Sequence, residues 1–122
     1  MKLVEFAFSP EQEALRDAVR AFLSTHAPMA YVRRMAEHDD VGITTDVWEH
    51  IVELGWTGAL VPEPNGGLAL GIVDGVVIQE EMGRTLFPGP FFSSSMVATL
   101  AARTLGLGEL LDALAAGTQL SF

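Results

Sequence analysis

The sequence predicts an all-α domain, an orthogonal or up-and-down bundle of about six helices that ends in a short C-terminal strand stub. Three observations predict it. Apolar residues recur at three- and four-residue spacing in successive segments, the period of a helix with one buried face. Pro and Gly fall between those segments, where they end helices rather than interrupt them. The 122 residues are 49% hydrophobic and 19% charged, which supplies one real core and leaves too little length for two.

The first helix opens at Phe8-Ser9-Pro10-Glu11-Gln12. Ser9 is placed to cap it, Pro10 takes the first helical position, and Gln12 stands three residues after the serine as in a capping box. Leu15, Ala18, Val19, Phe22 and Leu23 follow on one side, with Arg16, Asp17 and Arg20 on the other, and Pro28 marks the break. A second, short helix over about 29–37 carries Tyr31, Val32 and Met35 as its apolar side. His38-Asp39-Asp40-Val41-Gly42 is a loop by composition. Thr44 or Thr45 caps a third helix whose apolar members are Val47, Trp48, Ile51, Val52 and Leu54, with Gly55 suited to the position just past its end.

The stretch 54–67 organises the rest. Pro62 and Pro64 fix φ and remove two amide donors, so no helix continues through them. Gly66 and Gly67 permit a positive φ or a close backbone approach. The most hydrophobic run, 68–78, follows. Ile72, Val73, Val76 and Val77 define one stripe of a fourth helix, Ile78 and Met82 widen it, and a helix apolar around so much of its circumference is expected at the bundle's centre. Gly71 and Gly75 make a small-xxx-small pattern that predicts close helix contact. Phe87-Pro88-Gly89-Pro90-Phe91-Phe92 cannot be regular helix and forms an aromatic corner. Ser93, Ser94 or Ser95 then caps a fifth helix with Met96, Val97, Leu100, Ala101 and Leu105 inward, ended by Gly106-Leu107-Gly108. A sixth short helix over 109–116 closes at Gly117, and Gln119-Leu120-Ser121-Phe122 alternates like the first residues of a strand. The domain division is therefore 1–118 for the helical domain and 119–122 for the stub.

Composition bounds the partners. A net charge of −9, from 16 acids against 7 bases, argues against nucleic acid or an anionic membrane surface. The absence of cysteine excludes disulfides, thiol catalysis and cysteine-ligated metal, and favours a reducing compartment. Met1-Lys2-Leu3-Val4-Glu5-Phe6 lacks the apolar core of a signal peptide, and the run 68–78 falls short of the ~20 residues a membrane span needs. A cytoplasmic protein is the expectation.

Few residues suggest chemistry. Glu80 and Glu81 point about 100° apart on a helix, so they do not form a catalytic dyad; one of them is expected to face inward and bond to a loop amide or an arginine. His26, His38 and His50 lack the spacing of a metal site, and Asp46 with His50 needs only a surface hydrogen bond. Trp48, Trp56, Phe87, Phe91 and Phe92 read as core aromatics, with an apolar pocket wall as the functional reading of Phe91 and Phe92. Ser93, Ser94 and Ser95 have no histidine nearby in sequence to activate them.

Four features stand together in one order: Phe8-Ser9-Pro10-Glu11-Gln12 opening a helix, Trp48 through Leu54-Gly55-Trp56, Val61-Pro62-Glu63 with Gly66-Gly67, and Glu80-Glu81-Met82-Gly83-Arg84. The set resembles the N-terminal helical domain of the acyl-CoA dehydrogenase family over about residues 5–122. The resemblance implies a flavoenzyme that oxidises the Cα–Cβ bond of an acyl-CoA thioester, a carboxylate taking the α-proton while the β-hydride goes to FAD. It implies a parent about three times this length, a homo- or heterotetramer, whose β-domain begins near 119–122 and whose C-terminal helical domain supplies the base and most flavin contacts. This piece is then not catalytic alone and is expected to bind no FAD by itself. By position in the resemblance, Arg84, Leu86, Phe87, Phe91, Phe92 and Ser95 are the candidates for lining the acyl cavity. Asn65 stands where many members have Tyr, and Ala69 where Gly is frequent. Gly83-Arg84 with the Pro88-Gly89-Pro90 corner resembles the actinobacterial, steroid-degrading subgroup, which implies a bulky or branched acyl-CoA rather than a straight-chain one. Some members of that subgroup are flavin-poor subunits of heterotetramers. The alternatives are therefore a non-catalytic partner subunit, or the same domain of a flavin monooxygenase or acyl-CoA oxidase.

Overall fold

A computed structural model describes residues 8–37 and 42–120. The leader segment at 1–6, the loop at 38–41 with His38, and Ser121-Phe122 of the strand stub lie outside the described residues. Six α-helices are present: α1 (Pro10–His26), α2 (Met29–Glu37), α3 (Thr45–Glu53), α4 (Ile72–Arg84), α5 (Thr99–Leu105) and α6 (Gly108–Ala115). Two 3₁₀ turns, Trp56–Gly58 and Glu63–Asn65, join α3 to α4, and a π-helical stretch, Phe91–Ala98, runs directly into α5.

The start of α1 is the capping box the sequence predicts. Ser9 Oγ accepts from Gln12 N–H at 3.1 Å, and Gln12 Oε1 accepts from Ser9 N–H at 3.0 Å. Two otherwise unpaired amides are thereby satisfied. Thr44 stands at the start of α3 without a side-chain cap, because its hydroxyl is engaged by Tyr31 Oη of α2 at 2.8 Å. Gly55 ends α3 with φ +84°.

The 54–71 connection folds back on itself. Leu68, Ala69 and Leu70 donate to the carbonyls of Gly58, Val61 and Ala59. A Cβ at Gly67 would overlap the Val61 carbonyl, so the two backbones meet only because residue 67 has no side chain. This seats Trp56, Ala59 and Leu60 in the main core with Phe22, Leu23, Ile51, Ile78, Met82 and Phe91. Trp56 meets the edge of Phe22 at 5.3 Å. A second cluster, Val61, Ala98, Ala102, Leu111 and Leu114, holds α5 and α6 together. Trp48 Nε1 donates to Gly117 O at 2.7 Å, tying the end of α6 to α3.

Three expectations are corrected. The buried face of α4 is Gly75, Val77, Ile78, Glu81 and Met82, while Ile72 (54% exposed), Val73 and Val76 point outward. Gly75 decides the rotation: Met96 Sδ lies 2.7 Å from where a Cβ at Gly75 would stand, so the glycine face alone admits the neighbouring helix. The fifth helix begins at Phe91 in π form, with Pro90 rather than a serine at its start. The wider π turns shift the phase, so Ala98, Thr99 and Ala102 face in, and Val97, Ala101 and Leu105 face out. The strand stub is not formed. Gln119 and Leu120 carry no strand, no strand to pair with exists among the described residues, and the Leu120 backbone is held by Ser93 and Ser94 instead.

Candidate functional site

The segment from Glu81 to Ser95 leaves α4, turns at two prolines and enters the π-helical stretch. Its first anchor is Glu81, a carboxylate only 1% exposed. Arg20 of α1 grips it with two nitrogens, Nη2 to Oε1 at 2.7 Å and Nε to Oε2 at 3.3 Å, and Arg84 Nη1 adds a contact to Oε2 at 3.0 Å. The hydrogen bonds from Arg20 hold the Glu81 carboxyl below the usual carboxylate range against the desolvation that would raise it, and the charges of Arg20 and Arg84 add to the lowering. The sequence-level expectation of an inward glutamate bonded to an arginine is met. The partner 61 residues away could not be read from local spacing.

Beyond Arg84 the helix ends in a Schellman turn. Phe87 N–H donates to Met82 O at 2.9 Å and Leu86 N–H to Gly83 O at 3.2 Å. The residue between them needs a left-handed conformation, which is glycine's usual place, yet it is Leu86 at φ +57° with its side chain 69% exposed. Phe87 turns back onto the main core. Gly89, at φ +102°, makes the corner against Ile43.

The six candidates divide. Arg84, Leu86 and Phe92 (57% exposed) are on the surface, Phe91 and Ser95 are buried, and Phe87 is half-buried. Their neighbour Thr85 borders a cleft of about 340 Å³ with Leu23, Ser24, Ala27, Pro28 and Met29 at the α1–α2 corner. Ser93 and Ser94 hydroxyls donate to Leu120 O at 2.6 and 2.8 Å, and Ser94 Oγ accepts from Leu120 N–H at 2.6 Å. Ser95 Oγ is buried with no partner among the described residues.

His26 and His50 meet at 4.5 Å between ring centroids, with Phe22 against both. Reading the histidines as separate missed this pair. The available signal was helical: His26 follows Phe22 by four residues, so both lie on the face α1 turns toward α3. Two imidazoles alone are a poor metal site, and no group of three or more His, Cys, Asp or Glu side chains suited to a metal occurs among the described residues.

This helical fold with its α4–α5 segment has known counterparts. The model of the acyl-CoA dehydrogenase N-terminal domain matches residues 9–108, and the chain belongs to that family. It is similar to acyl-CoA dehydrogenase IpdE2 of Mycolicibacterium smegmatis, 32% identical over 113 residues, covering 92% of this chain and 36% of the relative. IpdE2 of Mycobacterium tuberculosis is 32% identical over 95 residues, 75% of this chain and 30% of the relative. FadE34 of Mycobacterium tuberculosis, also an acyl-CoA dehydrogenase, is 34% identical over 116 residues, 88% of this chain and 16% of that protein. The chain thus spans about a third or less of these curated relatives. No solved structure matches it. No helix among the described residues is long and apolar enough to cross a membrane.

Proposed function

We propose that this chain supplies the floor and one wall of the acyl-binding cavity of a flavin-dependent acyl-CoA dehydrogenase that acts on a bulky or branched acyl-CoA. Arg84, Leu86 and Phe92 form its face, and Phe87, Phe91 and Ser95 stand behind it. The observation that carries the reading is Leu86. A left-handed leucine costs about 1–2 kcal/mol, and this one also leaves its side chain in water. Nothing within the described residues offsets either cost, which supports a contact made only with something else. The Glu81 clamp and buried Phe91 give the surface a rigid backing, the condition for a pre-formed apolar wall.

The segment does not fit FAD by itself. Arg20 and Arg84 are committed to Glu81, and the Ser93 and Ser94 hydroxyls to Leu120, so no free cation or donor cluster remains there for a pyrophosphate. The flavin contacts and the base belong, in this reading, to further domains of a tetrameric parent, with 119–122 leading into the first of them. The chain alone is then not catalytic.

Two measurements test it. In the full-length protein, an acyl-CoA with a photoreactive acyl tip should label Leu86, Phe92 or Ser95; labelling confined to other parts of the protein overturns the wall assignment. The purified 122-residue chain mixed with FAD should desalt colourless, and a stoichiometric yellow complex would contradict the division of labour. A stop codon directly after Phe122 would favour the partner-subunit alternative, in which the same wall completes another chain's cavity.

A further inference from the structure

Among the described residues the arginines are mostly occupied. Arg16 pairs with Glu13, Arg20 and Arg84 with Glu81, and Arg34 lies over the Tyr31 ring at 5.7 Å. Arg103, on α5, has no carboxylate within 4.0 Å among them. Its one hydrogen bond runs from Nη1 to the carbonyl of Leu60 at 3.3 Å. Leu60 is a fully buried core residue, so the guanidinium is moored to a fixed point while most of its five donors stay unused. Arg103 also borders two adjoining clefts. One, of about 500 Å³, has Leu70, Gly71, Ile72, Leu100 and Thr104 as its other walls. The second, of about 110 Å³, is lined by Leu60, Pro62, Ala69 and Leu70. The nearest acid along the chain on this rim, Asp74, is turned back to accept the Gly71 N–H at 2.9 Å. The Thr104 hydroxyl donates to Leu100 O at 2.9 Å.

A moored cation beside Leu70, Ile72 and Leu100 recognises a negative head on a short apolar body. We propose that the cleft between the 68–71 segment and α5 binds a small anionic amphiphile, a carboxylate or phosphate carried on a short alkyl chain, with Arg103 holding the head and Leu70, Ile72 and Leu100 the tail. Both headgroups share the chemistry that a planar fork of donors reads. No lining residue is shared with the proposed acyl wall at residues 84–95, so this site stands or falls apart from that reading.

The test is a methyl and arginine side-chain NMR titration of the full chain with octanoate, octyl phosphate, octan-1-ol and inorganic phosphate, each kept below its micellar range. Expected are saturable shifts at Ile72, Leu70, Leu100 and Arg103 with one or both amphiphilic anions, and about tenfold or more weaker binding of octan-1-ol, which has the tail without the charge. The better of octanoate and octyl phosphate identifies the head, and inorganic phosphate binding as tightly as octyl phosphate would remove the apolar half of the proposal. Arg103→Gln should weaken binding about tenfold or more, while Arg103→Lys, which keeps the charge, recovers part of it. Ile72→Ser, at an exposed position, should weaken the octyl ligands without changing the amide spectrum. The proposal is overturned by the absence of saturable shifts, by equal affinity in Arg103→Gln, or by shifts centred on the α1–α2 corner.

Discussion

Replacing Glu81 by Gln separates the buried carboxylate from its two arginines with almost no change of shape. The wild-type carboxylate accepts from Arg20 at 2.7 and 3.3 Å and from Arg84 at 3.0 Å. A glutamine keeps one acceptor and turns an NH₂ group toward guanidinium donors, so at least one charge-assisted bond becomes a donor–donor contact. Such bonds contribute about 1.5–3 kcal/mol each. Breaking a fully buried pair costs about 3–5 kcal/mol. That is an upper bound here, because the Arg20 and Arg84 side chains are 52% and 56% exposed and regain water when the partner is lost. The expected loss is about 2–3 kcal/mol at pH 7, or about 8–12 °C in Tm for a domain of this size. The sign with pH follows from the lowered carboxyl. A group whose folded-state pKa is depressed contributes fully above its unfolded value, 4.5, and loses that contribution as pH falls through the folded one. The gap between wild type and Glu81→Gln in urea melts followed by circular dichroism should therefore be constant from pH 7 to about 5.5 and close below 4.5. Equal stability at pH 7, or a gap that persists unchanged in acid, refutes the clamp as the tie between α1 and α4.

Other perturbations have equally direct readouts. Leu86→Gly relieves the left-handed strain and should raise the Tm of the isolated chain, by about 0.5–1 kcal/mol after glycine's own entropic cost; a loss of stability would mean the leucine is supported locally. Gly67→Ala forces a Cβ into the Val61 carbonyl and should cost about 3 kcal/mol or more, seen as lost cooperativity or insolubility. Ser9→Ala removes the cap of α1 and should cost about 1 kcal/mol by urea titration, with no change in the rest of the amide spectrum.

The fold was legible where local chemistry decides it. Ser9-Pro10 with Gln12, Gly55, and the Gly66-Gly67 pair each impose one backbone geometry, and all four helix boundaries near them follow. What was not legible depends on which face meets which. Ile72, Val73 and Val76 outweigh Ile78 and Met82 in apolar content, yet Gly75 turns the lighter face inward because only it admits Met96. The π form of 91–98 leaves no local signature, since it arises from burying Phe91, Ser94 and Ser95 together against the Trp56–Gly58 turn. At the candidate site the sequence named the segment but not its two halves, surface and core. Glu81's reach to Arg20 and the meeting of His26 with His50 are tertiary facts that spacing along one helix cannot contain.

The wide turns between Phe91 and Ala98 have an evolutionary corollary. Deleting a single residue there would let the stretch relax to ordinary α geometry, and everything after it would swivel by about 100°. Arg103 and Leu100 would leave the rim they now share, and others of α5 would take their place. A one-codon indel in this short window is thus a dial by which kindred proteins can redecorate that side of the bundle while Phe91, upstream of the dial, keeps the core closed.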